Sequence, residues 1–307
     1  MKRLKKLILF GLLILLLAEI FLRSYFGFCD SVLMMENENY EYIAQPNQNR
    51  FRFRNHIKYN SYSMRSEEPD TSAFVILGFG DSVINGSVMV DQDSVVTTLL
   101  SKMLSHATGR KVQVLNISAG SWGPDNCYEY LKANGEFNAK MMLLVASSHD
   151  AFDNINFQPV VNVERGFETH QYHIALWELF HRYVIPKFAS RSKSNGSKPI
   201  KKNGTEFNSG FENLRSFCEN KHIPLVMYLH PDSIELGQKK YNSNGEMIRQ
   251  FCAKNNISLV SPMNVNTRND YRDIIHLQES GHRKMADKLF PVMLEEMKAY
   301  DQKTTIE

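Results

Sequence analysis

Residues 73–86 read AFVILGFGDSVING. An apolar run that does not alternate, here Ala73 to Gly78, marks a strand covered on both faces, as in a parallel sheet. Gly80, Asp81 and Ser82 follow at once. All three are turn formers. A nucleophilic serine at a strand end would draw on the same residues, so the stretch alone leaves both readings open. Two things decide between them: whether more such runs follow, and whether other strand ends supply a base, an orienting acid and oxyanion donors.

The runs do follow. VQVLNIS (112–118), KMMLLVAS (140–147), PLVMYLH (224–230) and ISLVSP (257–262) read as four further strands. Helical spacing of apolar residues separates them over 93–107, 125–134, 208–221 and 244–255, and a last helix spans 280–299. This alternation predicts an α/β domain over 73–299 with a five-stranded parallel sheet and helices on both faces. In such sheets the chemistry gathers at the carboxyl ends of the strands. Residues 29–72 are polar and irregular and read as a juxtamembrane segment packing on the domain. Within them the alternation of Phe51 and Phe53 with Arg52 and Arg54 suggests an edge strand or hairpin. Residues 300–307 read as a tail.

The chain opens MKRLKKLILFGLLILLLAEIFLRSYFGF. Lys2, Arg3, Lys5 and Lys6 precede an uncharged run from Leu7 to Ala18, and apolar character resumes to Phe28 around Glu19 and Arg23. About 20 residues cross a bilayer, so 1–28 reads as a single membrane anchor. A cleaved leader fits less well, because Leu16 stands where the site after Ala18 wants a small residue. Basic residues before the span and Asp30, Glu36, Glu38 and Glu41 after it place the N-terminus in the cytoplasm and the domain outside.

A net charge of +3 calls for no nucleic-acid partner. Cys29, Cys127, Cys218 and Cys252 lie far apart, without metal-site spacing, so neither a metal nor another cofactor is expected. A Cys218–Cys252 disulfide stays open at this level. Residues 181–205 hold seven Lys or Arg and no acid, which reads as a solvated, flexible basic loop or a clamp for an anionic glycan or lipid head group.

Four blocks fall at predicted strand ends or at the last helix: Gly80-Asp81-Ser82, NISAGSWG (116–123), SSHDAFDN (147–154) and DIIHLQESGH (273–282). Asp273 and His276, three apart at a loop-to-helix junction, can pair so that the carboxylate fixes the imidazole tautomer and leaves Nε2 to act as base on Ser82. Oxyanion donors would come from the Ser82 N–H, from the Gly120 N–H, where no Cβ blocks a substrate, and from a side chain of the third block. GxSxG, GxGxxG, Walker A and HExxH are all absent.

With these blocks the chain resembles the SGNH, or GDSL-like, hydrolases, over about residues 59 to 299. Gly80-Asp81-Ser82, Gly120 and Asp273-Ile274-Ile275-His276 match the family's blocks in order, and HLQESGHRKMADKL is similar to its final helix. YNSYSMR (59–65) resembles a segment of cell-envelope members. The family's third block ends Gly-x-Asn-Asp, with the Asn amide in the oxyanion hole; here His149 of Ser147-Ser148-His149-Asp150 stands in its place. The resemblance implies a flavodoxin-like three-layer α/β/α sandwich, catalytic Ser82, Asp273 and His276, and an oxyanion hole of Ser82, Gly120 and a neutral His149. It implies a membrane-anchored serine esterase or O-acyltransferase acting on acyl groups of an envelope glycan. The alternative is a binding or scaffold protein of a polysaccharide assembly system that has lost catalysis.

Overall fold

In a computed structural model, which describes residues 1–189, 200, 202 and 204–306, the chain opens with helix α1 (Lys2–Phe26). Gly27 ends it at φ 66°, where a Cβ would lie 1.8 Å from the Phe51 carbonyl oxygen. Only glycine fits so close an approach with a left-handed backbone. Two antiparallel hairpins follow, β1 (Met34–Asn37) with β2 (Glu41–Ala44), and β3 (Gln48–Arg52) with β4 (Asn55–Tyr59). The second contains Phe51 and Arg52. The segment read as irregular is thus largely hairpin. Tyr42, Ile43, Ile57 and Met64 bury in the main core, so both faces of these strands are partly covered and the two-residue alternation is blurred.

The α/β repeat begins with β5 (Phe74–Gly80), the short α2 (Ser82–Asn85) and α3 (Val96–Thr108). It continues through β6 (Val112–Ser118), α4 (Pro124–Asn134) and β7 (Met141–Ser147). After α5 (Ala175–Leu179) a π turn over Phe180–Val184 leads into α6 (Ile185–Ala189). Then come α7 (Gly210–Asn220), β8 (Leu225–His230), α8 (Ser233–Gln238), α9 (Ser243–Lys254), β9 (Ser258–Val260) and α10 (Glu279–Ile306). The last helix therefore runs through most of the residues read as a tail.

Five strands pair in parallel in the order β6-β5-β7-β8-β9. Numbered within the sheet, that is 2-1-3-4-5, the flavodoxin-like order. β5 sends Val75, Leu77 and Phe79 into a core shared with the hairpins, and Ile76 into a second core shared with α3 and α10. Every residue of β5, β6 and β7 is buried, as their largely apolar, non-alternating runs predict. The order reverses at β5, whose neighbours are β6 and β7. The carboxyl end of β5 is thus the switch point where such sheets bind ligands.

The basic stretch 181–205 lies partly outside the described residues. Where described it departs from a solvated loop. Residues 181–189 are helical, and Arg182 and Lys202 are buried. Arg182 Nη2 meets Glu168 at 2.6 Å. Lys202 pairs with buried Glu41 and donates to Asn126 Oδ1 at 2.7 Å. The cysteines are free, with Cys127, Cys218 and Cys252 buried. Burial pushes Cys218 and Cys252 up to about 12, which keeps them as thiols.

Candidate active site

At the end of β5 the chain passes against β7. A Cβ on Gly80 would lie 2.6 Å from the Val145 carbonyl oxygen, so only glycine fits there. Asp81 then caps α2, its Oδ1 accepting the Val83 N–H at 2.8 Å. Ser82 is the first residue of that helix and is half-buried. The Gly80–Ser118 pair closes the β5–β6 register, so Ser82 and Gly120 each lie two residues past it. Neither the Ser82 nor the Gly120 N–H donates to an acceptor among the described residues. The Gly120 carbonyl is fixed instead, accepting the Tyr42 hydroxyl at 2.9 Å.

His276 reaches this corner from the loop before α10. Its Nε2 lies 2.9 Å from Ser82 Oγ, and its Nδ1 lies 2.8 Å from Asp273 Oδ2. Asp273 Oδ1 also accepts the backbone N–H groups of Ile275 (3.0 Å) and His276 (2.8 Å). Burial pushes the Asp273 carboxyl up, but these N–H groups and the His276 ring outweigh it and hold the group below the usual range. The structure thus brings together Ser82, His276 and Asp273, three residues that the sequence separates by up to 194 positions. An ionised Asp273 at Nδ1 keeps that proton in place and leaves Nε2 to accept from Ser82 Oγ–H.

Two supports of this loop have no motif in the sequence. His230, the last residue of β8, is fully buried, and its Nε2 lies 2.8 Å from the Ile275 carbonyl oxygen. Burial pushes His230 down to about 4, so it is a neutral ring that donates to that carbonyl. Tyr271 stacks on His230 and donates its hydroxyl to the Pro231 carbonyl at 2.7 Å. On the other side, Arg65 of YNSYSMR is buried and donates to the carbonyls of Asn85 (2.6 Å), Ser87 (2.5 Å) and Val90 (2.6 Å). It ties down the chain that leaves α2. In the sequence, PLVMYLH reads only as a strand with a polar end, and nothing local marks Arg65 as buried.

His149 departs from the expectation of a neutral ring. Its Nε2 faces Asp150 Oδ1 at 3.5 Å, Asp81 Oδ2 at 3.6 Å and Asp153 Oδ2 at 3.9 Å. Burial works against charge on the ring, but Asp150, Asp81 and Asp153 outweigh it and push His149 up to about 10. The surrounding carboxylates thus favour the protonated ring. Burial would also raise Asp81, but His149 and the Val83 N–H bring it below the usual carboxylate range. Burial pushes Asp150 and Asp153 up, Asp153 to about 6. The donors of Asp81, His149 and Asp150 lie within 4.8 Å of one another, a spacing that would also suit a shared cation; a protonated ring supplies positive charge at the same point. The His149 Nδ1 has no partner among the described residues, and 40% of the side chain is open to solvent. The spacing of acids in SSHDAFDN was the available signal, since Asp150 and Asp153 follow His149 by one and four positions.

No family model matches this chain, and no curated protein does. Solved structures similar to it include a lipase/acylhydrolase from Enterococcus faecalis (12% identity, 72% of this chain and 95% of that one, TM-score 0.42). An acetylxylan esterase from Geobacillus stearothermophilus is similar at 12% identity, 72% and 94% coverage and a TM-score of 0.40. A psychrotrophic esterase from a Pseudoalteromonas species is similar at 11% identity, 76% and 100% coverage and a TM-score of 0.38. Likeness at this level assigns no activity; the chain's own side chains have to.

Proposed function

We propose that this chain is a membrane-tethered serine hydrolase of the SGNH kind, an esterase or O-acyltransferase acting on acyl esters, most simply acetyl, of an envelope polysaccharide. One observation carries the reading: the unbroken line from Ser82 Oγ to His276 Nε2 (2.9 Å) and from His276 Nδ1 to Asp273 (2.8 Å). Ser82 Oγ attacks the acyl carbonyl carbon while His276 Nε2 takes its proton. The oxyanion is met by the Ser82 and Gly120 N–H groups, with His149 Nδ1–H as the third donor. The ester C–O bond then breaks, the leaving alkoxide takes the proton from His276, and acyl-Ser82 remains. Water or a sugar hydroxyl, deprotonated by His276, releases the acyl group. Asp273 keeps the imidazole in register and stabilises its charged form.

The substrate class is argued from exposure. Ser82 and His276 are half-buried and Asp273 is exposed, so the site is open at the surface. An open site suits an acyl group projecting from a polymer. The anchor reading rests on α1, 25 residues long, with an 18-residue stretch of mean hydropathy 2.3 and almost no burial; a signal sequence would meet the same test. The charge pattern around it puts the N-terminus in the cytoplasm and the domain outside.

A scaffold without catalysis is favoured by one observation, a histidine held among three carboxylates at 149, where the family has an amide. Hydrolysis of p-nitrophenyl acetate separates the two readings. An esterase turns it over, and Ser82→Ala lowers kcat by about 10⁴-fold or more. No turnover above the Ser82→Ala background selects the scaffold. Adding an oligosaccharide acceptor and finding acylated sugar distinguishes transfer from hydrolysis.

A further inference from the structure

The helical segment 174–185 joins α1 where it leaves the domain. Glu19 of α1 accepts the backbone N–H groups of Ala175 (2.8 Å) and Leu176 (2.9 Å), and Arg23 donates to the His173 carbonyl at 2.5 Å. Leu22 is buried with Ala175 and Phe28 in a small core of their own. Glu178 Oε1 meets Arg52 at 2.6 Å in a buried pair, and its Oε2 accepts the Cys29 N–H at 2.6 Å, so the chain just after α1, β3 and α5 are joined. Ala175, Glu178 and Arg182 face inward, at helical spacing. The opposite face carries exposed apolar side chains: Ile174, Trp177, Phe180 and Ile185 are 56%, 53%, 48% and 37% exposed, with exposed His181 stacked on Trp177.

The length of α1 says what covers that face. From Leu7 to Ala18 it has twelve uncharged residues before Glu19, where the docked segment begins. At 1.5 Å per residue that is about 18 Å, against roughly 30 Å of hydrocarbon. If α1 crosses a bilayer, its span is therefore short by about two turns. Lys5 and Lys6 can recover part by snorkelling. The rest has to come from the docked end, where Phe21 and Tyr25 of α1 are also exposed. We propose that the face bearing Ile174, Trp177 and Phe180 lies in the lipid interface, beside α1, and completes the apolar belt of the anchor. Aromatic side chains of this kind favour that depth. The domain then rides directly on the membrane rather than hanging from a free stalk.

The proposal rests on the reading that α1 spans a bilayer, and one preparation tests the two separately. The full chain is reconstituted in phosphatidylcholine vesicles with lipids brominated at shallow or deep acyl positions. Trp177 and Trp122 are its two tryptophans, and Trp122 is buried in the domain core. The Trp177→Phe variant isolates the signal of residue 177. We expect shallow brominated lipid to remove the Trp177 emission, deep brominated lipid to remove less, and aqueous acrylamide to have little effect. If the chain resists carbonate extraction but Trp177 stays bright with brominated lipid, the proposal falls while the anchor stands. Protection from both quenchers would mean that a protein covers the face, which overturns a lipid occupant. If carbonate releases the chain, or intact mass shows α1 removed, the anchor reading falls and the interface proposal with it.

Discussion

Three carboxylates converge on one ring nitrogen of His149, Nε2. The proton is held in the folded chain up to about pH 10, against a usual value near 6.5. The sign follows from the raised value. His149 contributes stability that is fully present below about pH 6.5 and is lost as pH rises through about 10. Urea unfolding at pH 6, 8 and 10 should show that loss in the native chain and not in His149→Gln. Because 40% of the side chain is open, water screens part of the field and the effect is a fraction of what a buried pair gives. In catalysis, His149→Ala should lower kcat by roughly 10²-fold with little change in KM, because the bond strengthens only in the transition state. His149→Asn restores a donor but leaves Asp81 without its counter-charge, so it should recover rate at a cost in stability. If both variants keep kcat within about twofold while the esterase is active, His149 has no part in the oxyanion hole. Asp273→Asn should cost roughly 10²–10⁴-fold in kcat, measured on the same ester.

At the scale of elements, the Ser82 turn depends on a neighbour in the hairpin region. Arg65 caps three carbonyls just after α2. Arg65→Met would leave them buried and unpaired, at about 1–3 kcal/mol each before relaxation. Chemical denaturation should show a loss of at least about 2 kcal/mol, and Arg65→Lys should restore only part, since an ammonium lacks the planar fork. The Glu41–Lys202 pair makes a similar tie between β2 and the described end of the basic stretch. Glu41 also accepts the N–H groups of Asn156 and Phe157 at 3.0 Å. Burial raises the Glu41 carboxyl, but Lys202 outweighs it, with help from the Asn156 N–H and Asn126, so the group sits below its usual 4.5. Stability from this pair is present above about pH 4.5 and is lost as pH falls further. Lys202→Met strands the carboxylate and should cost about 3–5 kcal/mol; a loss under about 1 kcal/mol would mean that the pair does not hold the basic stretch to the core.

Across the whole molecule, the parts legible in the sequence are those with one dominant physical cause. The runs 73–80, 112–118 and 141–147 are dominated by apolar residues that do not alternate, because both faces are covered, and the parallel sheet follows from that. Ser82 and the Asp273–His276 pair were readable because a short turn sets each one's local geometry. The hairpins of 34–59 were mostly hidden, since strands buried on two sides lose their alternation. His230 and Arg65 were hidden for another reason: their partners are backbone carbonyls 45 and 20 to 25 positions away, and carbonyls leave no trace in side-chain patterns. The acidic surroundings of His149 were only partly legible, because Asp81 reaches it only after β5 and β7 come side by side.

The proposed function stands or falls with Ser82 as a nucleophile armed by His276. A fluorophosphonate probe tests this without knowledge of the acyl group or the acceptor, because it needs only an activated serine oxygen. The full chain in detergent, treated with the probe and read by intact mass and peptide mapping, should gain one adduct on Ser82. His276→Ala should slow that labelling by roughly 10²-fold or more, and Ser82→Ala should abolish it. A folded native chain that gains no adduct, or gains one on another serine while Ser82 stays unmodified, would contradict the claim.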